Sequence, residues 1–152
     1  MYATKRKLVT ATSYLCIIMS GTNDAANVGS YTPTPLGTIG DENQNTYLGA
    51  YSLLLDNLLA QNPKIRIILM TPLQVFCNDG AGDIRTNAMI EPYRQGTRDI
   101  ASYYGLPCID LARVMGWNAV TNPALSGDGL HPNEAASRVM ARIIDRFIRQ
   151  NF

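Results

Sequence analysis

The stretch 128–132, Asp-Gly-Leu-His-Pro, contains the only histidine of this 152-residue chain. An imidazole titrates near neutral pH, so His131 can take up a proton and return it within one catalytic cycle. Asp128 lies shortly before it, where a carboxylate can orient the imidazole, and Pro132 stiffens the turn. On its own, the stretch favours a general base with an orienting acid about as strongly as a surface histidine in an Asp-Gly turn.

A second polar segment, Gly-Thr-Asn-Asp at 21–24, directly follows Ser20 and the apolar run 15–19. The run is continuous and does not alternate, which predicts a strand buried on both faces, as in a parallel sheet. The polar segment therefore lies in a loop at the carboxyl end of that strand. Open α/β sheets place their sites at this edge.

The elements that position these two segments are predicted from the spacing of apolar residues. Three stretches have helical spacing, and two further continuous apolar runs predict strands. The predicted helices lie at 47–62, 89–104 and 136–148, and the further strands at 65–70 and 106–111. Strands that alternate with helices predict an α/β fold in which helices pack on the faces of a parallel sheet. Residues 27–46 and 113–127 are predicted to be irregular.

Length and composition narrow the function. A chain of 152 residues predicts a single domain over 1–152. The formal net charge is +1 and no long basic block is present, which argues against a nucleic-acid partner. The three cysteines show no CxxC spacing, and one histidine does not complete the usual zinc patterns. We therefore expect no metal and no disulfide framework, and the family resemblance described below implies no cofactor.

The N-terminal residues leave the cellular location open between cytoplasmic and secreted. Residues 1–7 carry three positive charges and 8–19 are mostly apolar, which superficially resembles a signal peptide. Polar residues dilute the apolar stretch, which runs into a segment expected to be folded. No segment reaches the roughly 20 apolar residues of a membrane span.

Together, Gly-Thr-Asn-Asp at 21–24 and Asp-Gly-Leu-His-Pro at 128–132 resemble the GxND and DxxHP blocks of the SGNH/GDSL hydrolases. The resemblance runs from about residue 14 to the C-terminus and is nearest to bacterial and phage members. It implies a flavodoxin-like, three-layer α/β/α fold with a parallel sheet. It also implies a serine esterase that hydrolyses ester or acyl bonds, with a leaning toward acylated carbohydrate or cell-wall groups.

The resemblance implies a role for each candidate residue. His131 would be the general base that activates a serine, and Asp128 would orient its imidazole and stabilise its charge. The side-chain amide of Asn23 would donate to the oxyanion of the tetrahedral intermediate. Gly21 would keep its loop tight. Trp117 would help to wall the substrate site, although an aromatic residue in a loop can equally be simple packing.

The chain departs from the family pattern because it lacks the Gly-Asp-Ser block that carries the nucleophile. Four serines could be compared with that nucleophile, and none follows a Gly-Asp pair after a strand: Ser13, Ser20, Ser30 and Ser126. We therefore expect the C-terminal portion of the family fold, without its first two β-α units. One interpretation is an esterase whose parent protein carries the serine, which the joint presence of Asn23, Asp128 and His131 favours. The other is a non-catalytic SGNH-like binding or scaffold domain.

The predicted loss of two β-α units also implies a partner. It would leave the edge of strand 15–19 with unpaired N–H and C=O groups beside apolar side chains. Such an edge pairs readily with another strand. We therefore expect a homo-oligomer or pairing with a separate N-terminal fragment.

Overall fold

Three parallel strands form the centre of the fold in the computed structural model, which describes residues 10, 12–26, 32–77 and 85–152. They are β1 (Leu15–Met19), β2 (Arg66–Met70) and β3 (Cys108–Ile109), in the spatial order β1-β2-β3. β1 pairs with β2 from Leu15 opposite Arg66 to Met19 opposite Met70. The predicted parallel α/β sheet is confirmed, and the two longer strands end level with each other.

β2 is the central strand and is buried on both faces, as its continuous apolar sequence predicts. Successive side chains of a strand point to opposite faces. Ile67 and Leu69 therefore join one hydrophobic cluster, whereas Ile68 and Met70 join a second cluster on the other face. The sheet thus separates two apolar layers, which gives the three-layer arrangement.

Five helices accompany the strands in the described part of the chain. They are α1 (Tyr47–Gln61), α2 (Asn87–Tyr103), α3 (Leu111–Val114), α4 (Asn122–Leu125) and α5 (Glu134–Asn151). Each long helix begins at a side-chain cap, with Thr46, Thr86 and Asn133 accepting a backbone N–H of the first turn. Among these helices, none has the length and apolar character needed to cross a membrane.

The two sides of the sheet are covered unequally. α1 and α2 pack on one face, where Leu55, Ile90 and Ile100 are fully buried. α5 contributes its apolar stripe to the opposite cluster, but only Ala136 of this helix is buried. The rest of the stripe is half-buried: Val139, Met140, Ile143, Ile144, Phe147 and Ile148. β1, at the edge of the described sheet, is also only partly buried.

Two regions differ from the sequence-based expectation. The strand predicted at 106–111 is confined to Cys108–Ile109, because the chain turns into α3 at Leu111. The hydroxyl of Thr71 holds this turn by donating to Asp110 Oδ1 and accepting from Ala112 N. The stretch 113–127, predicted to be irregular, contains the end of α3 and all of α4. Residues 1–9, 11, 27–31 and 78–84 lie outside the described residues. They include the charged N-terminal stretch and, within the predicted irregular stretch 27–46, Ser30.

Candidate active site

The loop from Ser126 to Pro132, called here the His131 loop, connects α4 to α5. It closes on itself through an isolated antiparallel bridge between Ser126 and Pro132. Asn133 joins its two ends, because its side chain donates to Ala124 O and accepts from Ala136 N, which caps α5. The loop is therefore anchored at both ends to helices that pack on the sheet.

The predicted pair of base and acid comes together within this loop. His131 Nδ1 lies 2.7 Å from Asp128 Oδ2. An ionised carboxylate only accepts hydrogen bonds, so Nδ1 carries the proton and Nε2 is left as the basic nitrogen. The side chains are 76% and 55% exposed for His131 and Asp128, respectively. The imidazole is thus oriented from one side and open to a substrate on the other.

Asp128 also organises the backbone around the base. Its Oδ1 accepts the backbone N–H groups of Leu130, at 2.9 Å, and His131, at 2.8 Å. The hydrogen bond from the His131 ring, followed by these two backbone donors, holds the pKa of Asp128 well below its usual range. The carboxylate therefore stays ionised at neutral pH, as an orienting acid must.

Asn23 lies in the loop 20–24, called here the Asn23 loop, directly after β1. Gly21 begins its turn with a φ of 112°, a conformation that side chains rarely adopt. A Cβ at Gly21 would lie 2.8 Å from Pro72 Cγ and 3.2 Å from both the Tyr47 hydroxyl and Tyr93 Cβ. A glycine is therefore needed at this position for both conformation and space.

Asn23 and His131 line the same cleft, at the carboxyl edge of the sheet. The cleft has a volume of about 190 Å³. Its lining is formed by the end of β1, the Asn23 loop, the segment that follows β2, a residue just before α2 and the His131 loop: Met19, Thr22, Asn23, Leu73, Val75, Arg85, Leu130, His131 and Pro132. Five of these nine residues are apolar, so a small apolar group fits beside the two polar candidates.

The other two predicted site residues occupy different positions. Gly21 shapes the turn that precedes Asn23. Trp117 lies in the cluster on the α5 side of the sheet, 2% exposed, with its indole N–H donating to Asn122 Oδ1 at 2.8 Å. The structure therefore brings Asn23, Asp128 and His131 to one edge and places Trp117 in the core.

Ser126 and Ser20 each have a structural partner. Ser126 is 6% exposed, and its hydroxyl hydrogen-bonds with Asp128 Oδ1, at 3.0 Å, and His131 O, at 2.8 Å. The same oxygen accepts the backbone N–H of Gly129 at 2.9 Å. The hydroxyl of Ser20 donates to Tyr47 OH at 3.4 Å. The hydroxyl-bearing residue of the cleft is instead Thr22.

Sequence reasoning missed the cleft wall that follows β2. Leu73 and Val75 come directly after Thr71-Pro72, at the carboxyl end of the central strand. A usable signal was present, because neighbouring parallel strands end at the same edge of a sheet. Residues after each predicted strand are candidates for one site, whether or not they are polar.

Comparison with solved structures places the fold among known ones. A Lactobacillus plantarum protein superimposes with a TM-score of 0.82 at 24% identity, covering 99% of this chain and 73% of that protein. A possible lipase from Chitinophaga pinensis gives 0.67 at 20% identity, over 90% and 72% of the two chains. A GDSL-like lipase from Bacteroides thetaiotaomicron gives 0.62 at 21% identity, over 91% and 63%. These similarities define an α/β fold shared with GDSL-like hydrolases.

The family follows from the sequence itself. Residues 4–139 match the profile of the GDSL-like Lipase/Acylhydrolase family. No match was found among functionally curated proteins. The chain therefore belongs to the GDSL-like lipase/acylhydrolase family, as the two sequence blocks had indicated.

Proposed function

We propose that this chain forms the base-bearing and oxyanion-binding part of a serine ester hydrolase. The observation that carries the proposal is the 2.7 Å hydrogen bond between His131 Nδ1 and Asp128 Oδ2, beside a cleft that Asn23 also lines. A carboxylate, an imidazole and an amide donor around one cleft are three of the four groups that acyl transfer by a serine requires.

In the proposed reaction, a serine Oγ attacks the ester carbonyl carbon while its proton passes to His131 Nε2. Asp128 stabilises the resulting imidazolium, and the Asn23 amide donates to the oxyanion. Collapse of the tetrahedral intermediate breaks the bond to the leaving alcohol, which takes the proton from the imidazolium. Water, deprotonated by the same imidazole, then hydrolyses the acyl-enzyme and regenerates the serine.

The cleft favours a short acyl group. Its volume of about 190 Å³ is below the roughly 300–1,000 Å³ of sites for drug-sized ligands. Apolar side chains on several walls suit a methyl or a short alkyl chain, whereas the open side next to His131 leaves room for a larger alcohol. An acylated carbohydrate would fit this division, with its sugar outside the cleft.

The nucleophile is proposed to come from a segment that carries a Gly-Asp-Ser block. No serine hydroxyl in the described ranges hydrogen-bonds to the imidazole ring. The same observation favours a second candidate function, a non-catalytic domain that binds an acyl group in the cleft. The two functions differ in whether His131 takes part in bond cleavage.

A hydrolysis assay separates them. The 152-residue chain is compared with the same chain extended by the reading frame upstream of Met1, using p-nitrophenyl acetate and a fluorophosphonate probe. We expect the chain alone to hydrolyse no faster than buffer, and the extended chain to turn over and label. Both signals should be lost or strongly reduced in His131→Ala. An extended chain that contains the Gly-Asp-Ser block but neither labels nor hydrolyses would support the binding domain.

Activity of the chain alone would contradict the proposed origin of the nucleophile. If that activity disappeared in His131→Ala, the attacking group would lie within the 152 residues. Thr22 would then be the first residue to replace, by valine, because it lines the cleft together with His131. Ser126→Ala would serve as the comparison, because its hydroxyl is already engaged within the His131 loop.

We also propose that β1 pairs with a further strand, from an N-terminal segment or from a second copy. β1 is an edge strand of the described sheet, and its residues, like the stripe on α5, are only partly buried. An edge of this kind recruits another strand. Sedimentation of the 152-residue chain at high concentration should show self-association, and a stable monomer would contradict the proposal.

A further inference from the structure

Arg94, on α2, is a buried cation outside the cleft. The residue is 1% exposed, and burial lowers its pKa while the neighbouring Glu91 carboxylate raises it. A guanidinium remains charged in proteins, so burying one is costly unless its donors are satisfied. The hydrogen-bond partners of Arg94 therefore show which part of the structure the buried charge stabilises.

Two of these partners belong to the segment that follows β2, and the other two lie on α2 itself. Arg94 Nε donates to Pro72 O at 3.1 Å, and Nη2 donates to Leu73 O. Nη2 also donates to Asn87 Oδ1 at 2.8 Å, and Nη1 donates to Glu91 Oε2 at 3.2 Å. One guanidinium thus donates to two successive carbonyls of a non-helical segment. An apolar residue at this position on α2 could not make these hydrogen bonds.

Asn87, also on α2, binds the same segment two residues further on, at Val75. Its Oδ1 accepts the backbone N–H of Val75 at 3.0 Å, and its Nδ2 donates to Val75 O at 2.8 Å. The amide therefore pairs with Val75 as a neighbouring strand would. Since Leu73 and Val75 both line the cleft, Arg94 and Asn87 fix one of its walls from behind.

The same segment touches the His131 loop through backbone atoms. Phe76 N donates to Gly129 O at 2.7 Å. Gly129 has a φ of 74°, and a Cβ there would lie 2.4 Å from Phe76 C and 2.6 Å from Cys77 N. The peptide units are thus in direct contact next to Asp128, so a shift of Phe76 must move the loop that carries His131.

We propose that Arg94 is a positioning residue for His131, acting through segment 72–76 and its contact with Gly129. The chain of contacts is continuous: the guanidinium holds the carbonyls of Pro72 and Leu73, Asn87 holds Val75, and Phe76 holds Gly129. An effect of Arg94 on catalysis rests on the proposed function. An effect of Arg94 on the position of His131 does not depend on that function.

Arg98 offers a matched control on the same helix. It also binds Glu91, at 3.0 Å, but its other partners are Asp110, at 2.8 Å, and Gln95, at 2.9 Å. None of its hydrogen bonds reaches segment 72–76 in the described part of the chain. Arg98→Met therefore removes a partly buried cation from the same ion-pair cluster while leaving that segment in place.

The experiment uses the full 152-residue chain and needs no turnover. Because His131 is the only histidine, the imidazole signals in a long-range ¹H–¹⁵N correlation spectrum belong to it without further assignment. The ¹⁵N shifts report which ring nitrogen carries the proton, and hydrogen exchange of the Phe76 amide reports its bond to Gly129. Both are recorded for the wild type, Arg94→Met, Arg94→Lys and Arg98→Met, with urea unfolding of each.

We expect Arg94→Met to move the imidazole ¹⁵N shifts toward mixed tautomers and to speed exchange at Phe76 about tenfold or more, as for the loss of roughly one hydrogen bond. Arg94→Lys should change the imidazole shifts and the Phe76 exchange rate less than Arg94→Met does. Arg98→Met should leave both quantities near their wild-type values. Unchanged imidazole signals in folded Arg94→Met, or equal changes in Arg98→Met, would overturn the proposal.

A second variant covers the case in which Arg94→Met does not fold. Asn87→Ala removes the pairing with Val75 and one acceptor of Arg94, and we expect smaller changes in the same direction. A folded Asn87→Ala protein with wild-type imidazole signals and Phe76 exchange would likewise overturn the proposal. Failure of the extended chain to hydrolyse esters would contradict the proposed function. It would not affect the test of Arg94, which depends only on the spectra and the exchange rates.

Discussion

The two loops that meet at the cleft are held in different ways. The His131 loop is ordered largely from within, because Ser126 and Asp128 accept backbone N–H groups of residues two or three positions further on. The Asn23 loop is fixed mainly by distant residues, since Pro72, Tyr47 and Tyr93 pack around Gly21. His131 is therefore positioned largely by local sequence, whereas Asn23 is placed mainly by tertiary packing.

The largest expected effect is a loss of kcat, which differs between a substitution in the His131 loop and one in the Asn23 loop. In the extended chain, if it hydrolyses esters as proposed, Asp128→Asn should lower kcat by about 10⁴-fold, because an amide can hold His131 in the wrong tautomer while keeping the loop bonds. Asn23→Ala removes the proposed oxyanion donor and should cost about 10²–10³-fold. The measurement is p-nitrophenol release, with urea unfolding as the control for folding. Equal losses would mean that Asn23 does more than donate to the oxyanion.

This difference also explains which parts of the site could be predicted. The hydrogen bond between Asp128 and His131 spans three positions and depends on one turn, so a short motif could indicate it once the second motif was recognised. The position of Asn23 required two strands to be adjacent, which the alternation of elements implied. The wall formed by Leu73 and Val75 depends on side chains of α2 reaching across to the segment after β2, and no short motif encodes that contact.

The fold shows the same division between local and distant information. The start of the first predicted helix, at residue 47, agrees with the structure, because helical spacing and capping depend only on neighbouring residues. The early end of β3 was not predicted, because it depends on the hydroxyl of Thr71, far away in sequence. The place of Trp117 was also left open, because a single aromatic residue in a stretch without periodicity does not reveal which cluster it joins.

Two glycine substitutions test the close contact between the His131 loop and the backbone of Phe76. At Gly129, the nearest atom to an added Cβ is the Phe76 backbone carbon at 2.4 Å, whereas at Gly21 the nearest atom is Pro72 Cγ at 2.8 Å. Gly129→Ala should therefore cost more free energy of unfolding than Gly21→Ala. Overpacking and left-handed strain together give about 2–5 kcal/mol for Gly129→Ala.

Gly116→Ala is the matched control for strain alone. Gly116 has a φ of 68°, and among the described residues no atom lies within 4 Å of the position that an added methyl group would take. The substitution should cost about 1–2 kcal/mol. Urea unfolding measures all three variants. If Gly129→Ala cost no more than Gly116→Ala, the close contact between the His131 loop and Phe76 would be disproved.

The serines of the two loops give the next smaller effect. Ser126→Ala would leave the buried N–H of Gly129 without its acceptor, which typically costs about 1–3 kcal/mol. Ser20→Ala loses a single long hydrogen bond of 3.4 Å to Tyr47 and should change stability by less than about 0.5 kcal/mol. Thermal or urea unfolding compares the two. A larger loss for Ser20→Ala would show that local bonds are not what stabilises the His131 loop.

The smallest effect concerns the carboxylate that organises the His131 loop. The pKa of Asp128 is held below its usual range by the His131 ring and then by two backbone N–H groups. A depressed folded-state pKa stabilises the protein above the ordinary carboxyl pKa of about 4, and this contribution is lost as the pH falls below that value. Because the Asp128 side chain is 55% exposed, we expect less than about 1 kcal/mol.

Urea unfolding of the wild type and Asp128→Asn at about pH 6 and about pH 3 measures this contribution. The stability difference between the two proteins should shrink at the lower pH, because the wild-type carboxylate then begins to lose its advantage over the unfolded chain. In a His131→Gln background, which removes the largest cause of the shift, the pH-dependent part should be smaller. A difference that stayed constant with pH in the wild-type background would mean that Asp128 acts on the loop only as a neutral hydrogen-bond acceptor.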